Sequence, residues 1–163
     1  MIQTGLWHEP HDPYEAVAAF AAAQPRGIAG ACDVFIGTMR GTDPSDGTQP
    51  PIIRMWLEHY PRITAVQLEV LADAARRRHG LHAVLLWHRV GMVYPGEALV
   101  VIGAWAAHRQ AAFVGCREIL ESVKSEVALW KKEFLGDGSS RWVQGTAAVS
   151  HATKTHMLPR EGA

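Results

Sequence analysis

The sequence has few features of an exported or membrane-embedded protein. It contains only two cysteines, Cys32 and Cys116, both inside apolar segments, so a disulfide framework is not expected. Its longest apolar run, from Ala98 to Ala107, is half the roughly 20 residues that a membrane-spanning helix needs. The first seven residues contain no basic region followed by an apolar one, so we expect no signal peptide and a cytoplasmic protein.

The chain also lacks a net charge, because 16 basic residues balance 16 acidic ones. A field strong enough to gather nucleic acid is therefore not expected, and any anion site must be a local cluster. The 163 residues are 48% hydrophobic, which suits one packed domain that buries roughly two-thirds of its unfolded surface. We predict one domain over residues 1–145 and a flexible tail over residues 146–163, where the sequence turns polar and irregular.

Three helices are predicted. The first begins after Asp12, a good N-cap residue. The second is expected over Thr64–His79, because Thr64 and Gln67 have the spacing of a capping box and Ile63 could pack as a hydrophobic staple. The third is expected over Gln110–Val123. Its buried side is predicted to carry Phe113, Cys116, Leu120 and Val123.

Strands are predicted from runs of apolar residues bounded by turn residues. In the second of them, Ile53, Met55 and Leu57 alternate with polar or bulky residues and are expected to share the buried face. A polar, glycine- and proline-rich loop separates the first two strands over residues 38–51. The predicted strands are Ile28–Gly37, Ile52–His59, His82–His88, Ala98–Ala106, Trp130–Phe134 and Arg141–Gln144.

Basic residues occur at both ends of the third predicted helix. His108 and Arg109 close a buried strand and open the helix, where free backbone N–H groups bind phosphate readily. Lys124 ends the helix, and Lys131 follows a short connector. The chain has only four lysines, and two of them lie here, beside Lys132. Each feature alone is more often structural, because cations are favourable at any helix C-terminus and a loop-edge arginine such as Arg40 is usually solvated.

Together these residues form an ordered series of short motifs across residues 29–144. The motifs are Phe35–Arg40, Leu57–Tyr60, His88–Gly91, Pro95–Glu97, Ala107–Arg109 with Ala112–Phe113, Lys124, Trp130–Glu133 and Arg141–Val143. Each one is weak by itself, but the ordered set is specific. It resembles the MoaE family, the large subunit of molybdopterin synthase.

The resemblance implies an α+β fold, in which a mixed sheet carries two long helices and a β-hammerhead-like extension. It also implies an enzyme that transfers sulfur to cyclic pyranopterin monophosphate, forming the dithiolene of molybdopterin. The sulfur would come from the C-terminal Gly-Gly thiocarboxylate of a small ubiquitin-like, MoaD-like subunit. No cofactor or metal is implied for the chain itself, because molybdenum would enter later, on the product.

The same resemblance assigns roles to individual residues. It implies that Lys124 and Lys131 are catalytic, with Lys124 closest to the incoming tail. The implied substrate-binding residues are Thr38, Met39, Arg40, His108, Arg109, Lys124, Lys131, Lys132 and Glu133.

Two features of this sequence depart from the family pattern. Ala128 stands where the family usually has a proline, which predicts a less rigid connector before Lys131. The loop from Gly41 to Pro51 is longer than expected and lacks the usual asparagine. This loop borders the implied pterin site.

The positions of His108 and Lys124 also predict a dimer. They are sixteen residues apart on one predicted helix, so their backbones are roughly 24 Å apart. A small pterin phosphate cannot touch both. We therefore expect Arg40, Lys124 and Lys131 from one subunit and His108 and Arg109 from its twofold mate, which gives a heterotetramer with two ubiquitin-like subunits.

Three other functions are less favoured by the sequence. A sulfurtransferase with a persulfide on Cys32 or Cys116 is disfavoured, since both look like small core residues away from activating cations. A non-catalytic scaffold that binds the ubiquitin-like partner is disfavoured by the intact set of cations. A metal site is disfavoured because none of the nine histidines has ligand spacing, and strand histidines such as His59 and His88 are usually hydrogen-bonded within the fold.

Overall fold

Eight strands and three helices follow one another in the part of the chain that the structure describes. This structure is a computed structural model, and it describes residues 1–42 and 50–143. Gln144, the predicted tail and residues 43–49 of the predicted loop lie outside the described residues. The elements are β1 (Ile2–Trp7), α1 (Pro13–Ala22), β2 (Ala31–Thr38), β3 (Ile52–His59), α2 (Pro61–His79), β4 (Ala83–Arg89), β5 (Gly91–Val93), β6 (Ala98–Ala106), α3 (Arg109–Glu126), β7 (Leu129–Leu135) and β8 (Ser140–Val143).

The larger sheet has the strand order β1-β4-β6-β2, in which β1 and β4 are parallel and the other pairs are antiparallel. Helices α2 and α3 cover one face, where Leu68 and Ile119 pack against Ile102. Helix α1 covers the opposite face, where Phe20 packs on Trp105 with ring centroids 5.0 Å apart. Because both faces are covered, the central strands β4 and β6 are almost entirely apolar, with His88 and Arg89 at the end of β4 as the polar exceptions.

The smaller sheet has the order β5-β3-β7-β8 and is antiparallel throughout. Its inner face forms a separate core in which Met55, Leu57 and Val93 pack with Met39 from the end of β2. The other face is open to solvent. A mixed sheet with two long helices and a second β unit is the fold class that the sequence predicted, and that prediction is confirmed.

Arg89 connects the two sheets. It is 2% exposed and lies at the end of β4. Its guanidinium donates to the carbonyl oxygen of Trp7 at 3.1 Å, to that of Met92 at 2.8 Å and to Oε2 of Glu97 at 3.3 Å. Because β1, β4 and β5 all contribute, this one side chain fixes where the smaller sheet begins relative to the larger one.

The predicted capping box of α2 is wrong. The helix begins at Pro61, with Tyr60 as N-cap and no side-chain cap. Proline fits the first helical position, so the helix starts earlier than the Thr64–Gln67 spacing suggested. Thr64 lies inside the helix and bonds to residue 128, and Ile63 is exposed and forms no staple.

Two predicted buried faces also need correction. The pairing of β3 with β7 shifts register between Ile52 and Arg54, so Ile52 is buried and Ile53 is exposed, while Met55 and Leu57 are buried as predicted. In α3, Phe113 is exposed. The remaining predicted positions of that face are buried or partly buried against the core. No described helix is both long and apolar enough to cross a membrane.

Candidate active site

Helix α3 separates two basic clusters. It runs unbroken for 18 residues from Arg109, with His108 as its N-cap, and carries Lys124 in its last turn. At 1.5 Å per residue, Arg109 and Lys124 lie about 22 Å apart along the axis. The sequence premise of one continuous helix is therefore confirmed, and within one chain no small ligand reaches both ends.

The first cluster lines a cavity of about 550 Å³ at the N-terminus of α3. Its walls include Gly30, Ala31, His108 and Arg109. Gly30 allows β2 to approach β6 closely, since a Cβ at this position would lie 2.4 Å from the carbonyl oxygen of Ala107. The His108 side chain makes no capping hydrogen bond. Free helix N–H groups, the positive end of the helix dipole and two basic side chains therefore face one space that suits an anion.

The second cluster brings Lys124 and Lys131 together across a short connector. Lys131 lies on β7 opposite the fully buried Leu57, so its side chain projects from the inner face of the smaller sheet. Burial lowers the pKa of Lys131, the nearby charge of Lys124 lowers it further, and Glu133 partly offsets both. Lys124 itself is 53% exposed, and the one ion pair that it forms with the described residues, 3.7 Å to Glu121, constrains it little.

Neighbouring residues of β7 point to opposite faces. Glu133 shares the inner face with Lys131, is buried, and accepts a 2.8 Å hydrogen bond from Nε of Arg141. Lys132 projects outward, with its Nζ 5.5 Å from the ring centroid of Phe134 and 5.7 Å from that of Trp142. Of the predicted substrate-binding residues on β7, Lys131 and Glu133 are thus together, and Lys132 lies on the far side of the sheet.

The residues at the end of β2 divide in the same way. Thr38 and Arg40 are exposed, whereas Met39 is buried in the core of the smaller sheet. The backbone N–H of Met39 donates to the carbonyl oxygen of Glu97, and its own carbonyl oxygen accepts from Gly96, both at 2.9 Å. Met39 therefore holds its two neighbours in place, and its side chain is not open to a ligand.

His88 is a neighbour of Lys131 that the sequence interpretation did not include in the site. It is buried, and its Nδ1 donates to the carbonyl oxygen of Arg89 at 2.7 Å, which leaves the Nε2 lone pair as an acceptor. Burial lowers the pKa of His88 to about 4, and the Lys131 charge also lowers it. A neutral imidazole is therefore held near Lys131. The motif His88–Gly91 contained this signal, but sequence alone favoured a structural histidine.

Neither cysteine has an activated thiol, because the surroundings raise both thiol pKa values. Cys32 lies on the edge strand β2 and is exposed, so the prediction that it is a core residue is wrong. Partial burial and the charge of Asp33 raise the pKa of its thiol to about 11. Cys116 is buried, which together with Asp33 raises its pKa to about 12. Thiolate chemistry at neutral pH is disfavoured at both positions.

The described residues contain no group of three or more histidine, cysteine or acidic side chains able to hold a metal ion. His8 and His59 form a pair without a third ligand, with ring centroids 5.8 Å apart. Nε2 of His59 is buried without a hydrogen-bond partner among the described residues, so the prediction that this histidine is hydrogen-bonded within the fold does not hold for that atom.

Comparison with known proteins decides the family. The model of the family described as "MoaE protein" matches residues 6–126. This chain belongs to the MoaE family. The molybdopterin synthase catalytic subunit of Pseudomonas aeruginosa is 40% identical over 143 residues, covering 88% of this chain and 91% of that protein.

Solved structures agree. The molybdopterin biosynthesis MoaE protein of Burkholderia ambifaria superposes with a TM-score of 0.72 at 34% identity, covering 93% of this chain and 95% of the other. A Helicobacter pylori protein–protein complex of subunits 1 and 2 of molybdopterin-converting factor has a chain with a TM-score of 0.65 at 18% identity. The match covers 91% of both chains and shows the shared fold alone. The predicted family is confirmed, and so is the prediction that the chain is an enzyme of the molybdopterin synthase type.

Proposed function

We propose that this chain is the sulfur-transferring catalytic subunit of a cytoplasmic molybdopterin synthase, with Lys124 and Lys131 as its catalytic residues. The observation that carries the proposal is the proximity of these two lysines, one solvated and one half-buried with a lowered pKa. The substrate is cyclic pyranopterin monophosphate, and the sulfur donor is a thiocarboxylate.

Both reactants are anions, which explains why the site contains cations. Two unit charges about 4 Å apart repel by roughly 4 kcal/mol at an effective dielectric of 20. Lys124, which is exposed and acts on Lys131, offsets that repulsion, and the exposed Arg40 is proposed to do the same from the end of β2. Because the pKa of Lys131 is lowered, a larger fraction of its amine is neutral near pH 7 than in a solvated lysine, and that fraction can act as base or nucleophile.

The sulfur is delivered by a small ubiquitin-like subunit with a C-terminal Gly-Gly thiocarboxylate. The related Helicobacter pylori structure is a complex of two different subunits of molybdopterin-converting factor, which supports a partner subunit for this chain. A glycine tail presents few side chains, so backbone hydrogen bonds must hold it in an extended slot that ends at Lys124. Deleting the two glycines is expected to abolish transfer.

Each site is shared across a twofold dimer of this chain, so the working unit is a heterotetramer. The continuous α3 supports this, because the anion cavity at Arg109 and the lysines at its other end cannot serve one ligand in one subunit. Among the described residues β2 has no neighbour on its outer edge, and it exposes Val34 and Phe35 close to the α3 end that exposes Phe113. An open edge with apolar side chains suits a second copy.

Reconstitution tests the function. The chain is mixed with a thiocarboxylated ubiquitin-like subunit and cyclic pyranopterin monophosphate, and dithiolene product is measured by mass spectrometry. We expect product to form, and to require the thiocarboxylate in place of the ordinary carboxylate. If the loaded partner transfers no sulfur in the presence of this chain, the function is not the one proposed.

A further inference from the structure

A short connector between α3 and β7 sets the separation of Lys124 and Lys131. Helix α3 ends at Glu126, two residues after Lys124, without a glycine, and Val127 already has the extended backbone angles φ −83° and ψ 134°. Strand β7 begins at Leu129. Only Val127 and Ala128 therefore join the helix that carries one lysine to the strand that carries the other.

Two side chains of α2 bind this connector. Nε2 of Gln67 donates to the carbonyl oxygen of Glu126 at 3.0 Å, and Oε1 of the same amide accepts from the backbone N–H of Ala128 at 2.9 Å. The hydroxyl of Thr64, which is fully buried, donates to the carbonyl oxygen of Ala128 at 3.1 Å and accepts from the N–H of Tyr60 at 3.3 Å. The connector that the sequence predicted to be less rigid is thus held by three hydrogen bonds to another helix.

These bonds go beyond ordinary helix capping. The last carbonyl groups of a helix need partners, and α3 has no local cap of its own. Gln67 supplies one partner to Glu126 and, with the other end of its amide, holds the backbone of the next segment. A single planar amide therefore fixes the end of α3 relative to the start of β7, and Thr64 fixes the same segment through the carbonyl oxygen of Ala128.

We propose that Gln67 and Thr64 are positioning residues that hold Lys124 and Lys131 at their working separation. The expected effect on catalysis rests on the proposed function. Neither residue touches the site, and both act through the connector. Without them, the connector can swing and the two ammonium groups can move apart.

The spacing of the lysines has a measurable electrostatic consequence. The groups that act on Lys131 are Lys124 from α3 and Glu133 on its own strand, while the neutral His88 of β4 lies near it. If the connector loosens, Lys131 gains solvent and distance from Lys124. Both changes favour its charged form, so its pKa rises toward that of an ordinary lysine.

A substitution within the connector can replace the restraint that Gln67 supplies. The N–H of Leu129 donates to the carbonyl oxygen of Val127 at 2.8 Å, which closes a three-residue turn centred on Ala128. No described residue other than glycine has a positive φ, so this is the inverse γ-turn, with a central φ near −75°. Proline fits that φ, and the extended Val127 suits a residue before proline. Ala128→Pro therefore stiffens the connector without using Gln67.

The experiment compares Gln67→Ala, Gln67→Ala with Ala128→Pro, and the control Glu69→Ala on the exposed face of α2. Turnover is measured in the reconstituted enzyme, and the titration of Lys131 is followed by NMR of ¹³C-lysine-labelled protein. The chain has only four lysines, so Lys132→Arg and Lys154→Arg simplify assignment.

Gln67→Ala is expected to lower kcat about tenfold or more with KM little changed, as small misplacements of reacting groups do. Its Lys131 should titrate at higher pH.

The double variant is expected to recover both kcat and the low Lys131 titration, and Glu69→Ala to match wild type. An unchanged Lys131 titration in Gln67→Ala, or a double variant as impaired as the single one, overturns the proposal. Thr64→Val and Thr64→Ser give a second pair if Gln67→Ala folds poorly, with loss expected only in the valine variant. If wild type makes no product, the proposed function fails, and the titration alone still decides whether the connector is held.

Discussion

The two sheets of this molecule differ in what they bury. In the larger sheet every residue of β6 except Leu99 is buried, because helices cover both faces. In the smaller sheet β7 is mostly half-buried and β8 is exposed or half-buried, because only the inner face is covered. The side chains of the central strands β4 and β6 are fixed by packing, so these strands form a rigid frame, whereas the edge strand β2 is exposed or half-buried. The smaller sheet, with an inner face that is only partly dry, is where a lysine can be half-buried and still reach a ligand.

This difference in burial explains how a firmly held strand can carry a lysine that is still partly hydrated. A lysine in a central strand of the larger sheet would lose its hydration, whereas a lysine on the open outer face of the smaller sheet would keep more of it. Lys131 lies between these limits, on the inner face and beside Lys124. The site therefore depends on how the smaller sheet is attached to the frame. The following variants remove that attachment or test the difference between the inner and outer faces of the smaller sheet.

The largest expected effect comes from removing the connection between the sheets. Arg89→Met removes the guanidinium donor from the carboxylate of Glu97 and from three carbonyl oxygens, which costs about 3–5 kcal/mol of unfolding free energy. Urea unfolding measures it. The control Arg62→Met, on the exposed side of α2, should stay within about 0.5 kcal/mol of wild type. A loss below about 1 kcal/mol for Arg89→Met would show that the sheets are held together by other contacts.

Next in size is the contrast between the lysines of β7. Lys131→Ala and Lys124→Ala are each expected to lower the rate of dithiolene formation about a hundredfold or more, as loss of a charge-stabilising group does. Lys132→Ala, on the opposite face, should lower it less than about tenfold, since water and salt screen its charge.

The matched control for the sulfur source is the double variant Cys32→Ala, Cys116→Ala, which should retain activity because neither thiol is activated. Single-turnover assays with thiocarboxylated partner measure all four proteins. Wild-type rates in either Lys131→Ala or Lys124→Ala would contradict the assigned chemistry.

A smaller effect is expected from His88 through pH. Its folded-state pKa is about 4 and its ordinary value is 6.5, so the unfolded chain binds more protons between these values. Stability is therefore lost as pH falls from 6.5 toward 4, by up to about 3 kcal/mol. His88→Gln should reduce this acid-dependent loss in urea unfolding at about pH 7 and about pH 5, compared with the exposed control His82→Gln. An identical pH dependence in wild type and His88→Gln would mean that His88 is not buried in its neutral form.

The sequence predicted the frame better than the site. Helix α3 follows from its apolar periodicity, and strands β4 and β6 follow from continuous apolar runs bounded by turn residues, because both signals are local. The register shift at Ile53 and the pairing of β1 with β4 depend on residues far away in the chain, and no local pattern encodes them.

The site shows the same limit. The Thr64–Gln67 spacing is visible in the sequence. Apart from the N–H of Tyr60, however, the partners of these two side chains lie at residues 126–128, about 60 residues along the chain. Similarly, three consecutive charged residues on β7 look like one cluster in the sequence. Strand alternation puts Lys132 on the other face, and only the pairing with Leu57 shows which face is buried.

We propose that the two ends of α3 serve one active site only when two subunits combine. Mixing inactive Arg109→Ala with inactive Lys124→Ala tests it most directly, under conditions in which exchange of subunits is shown with isotopically distinct chains by native mass spectrometry. Random twofold pairing gives one complete site in each mixed dimer, so activity should return to about a quarter of the wild-type level. No recovery despite proven exchange would contradict the shared site.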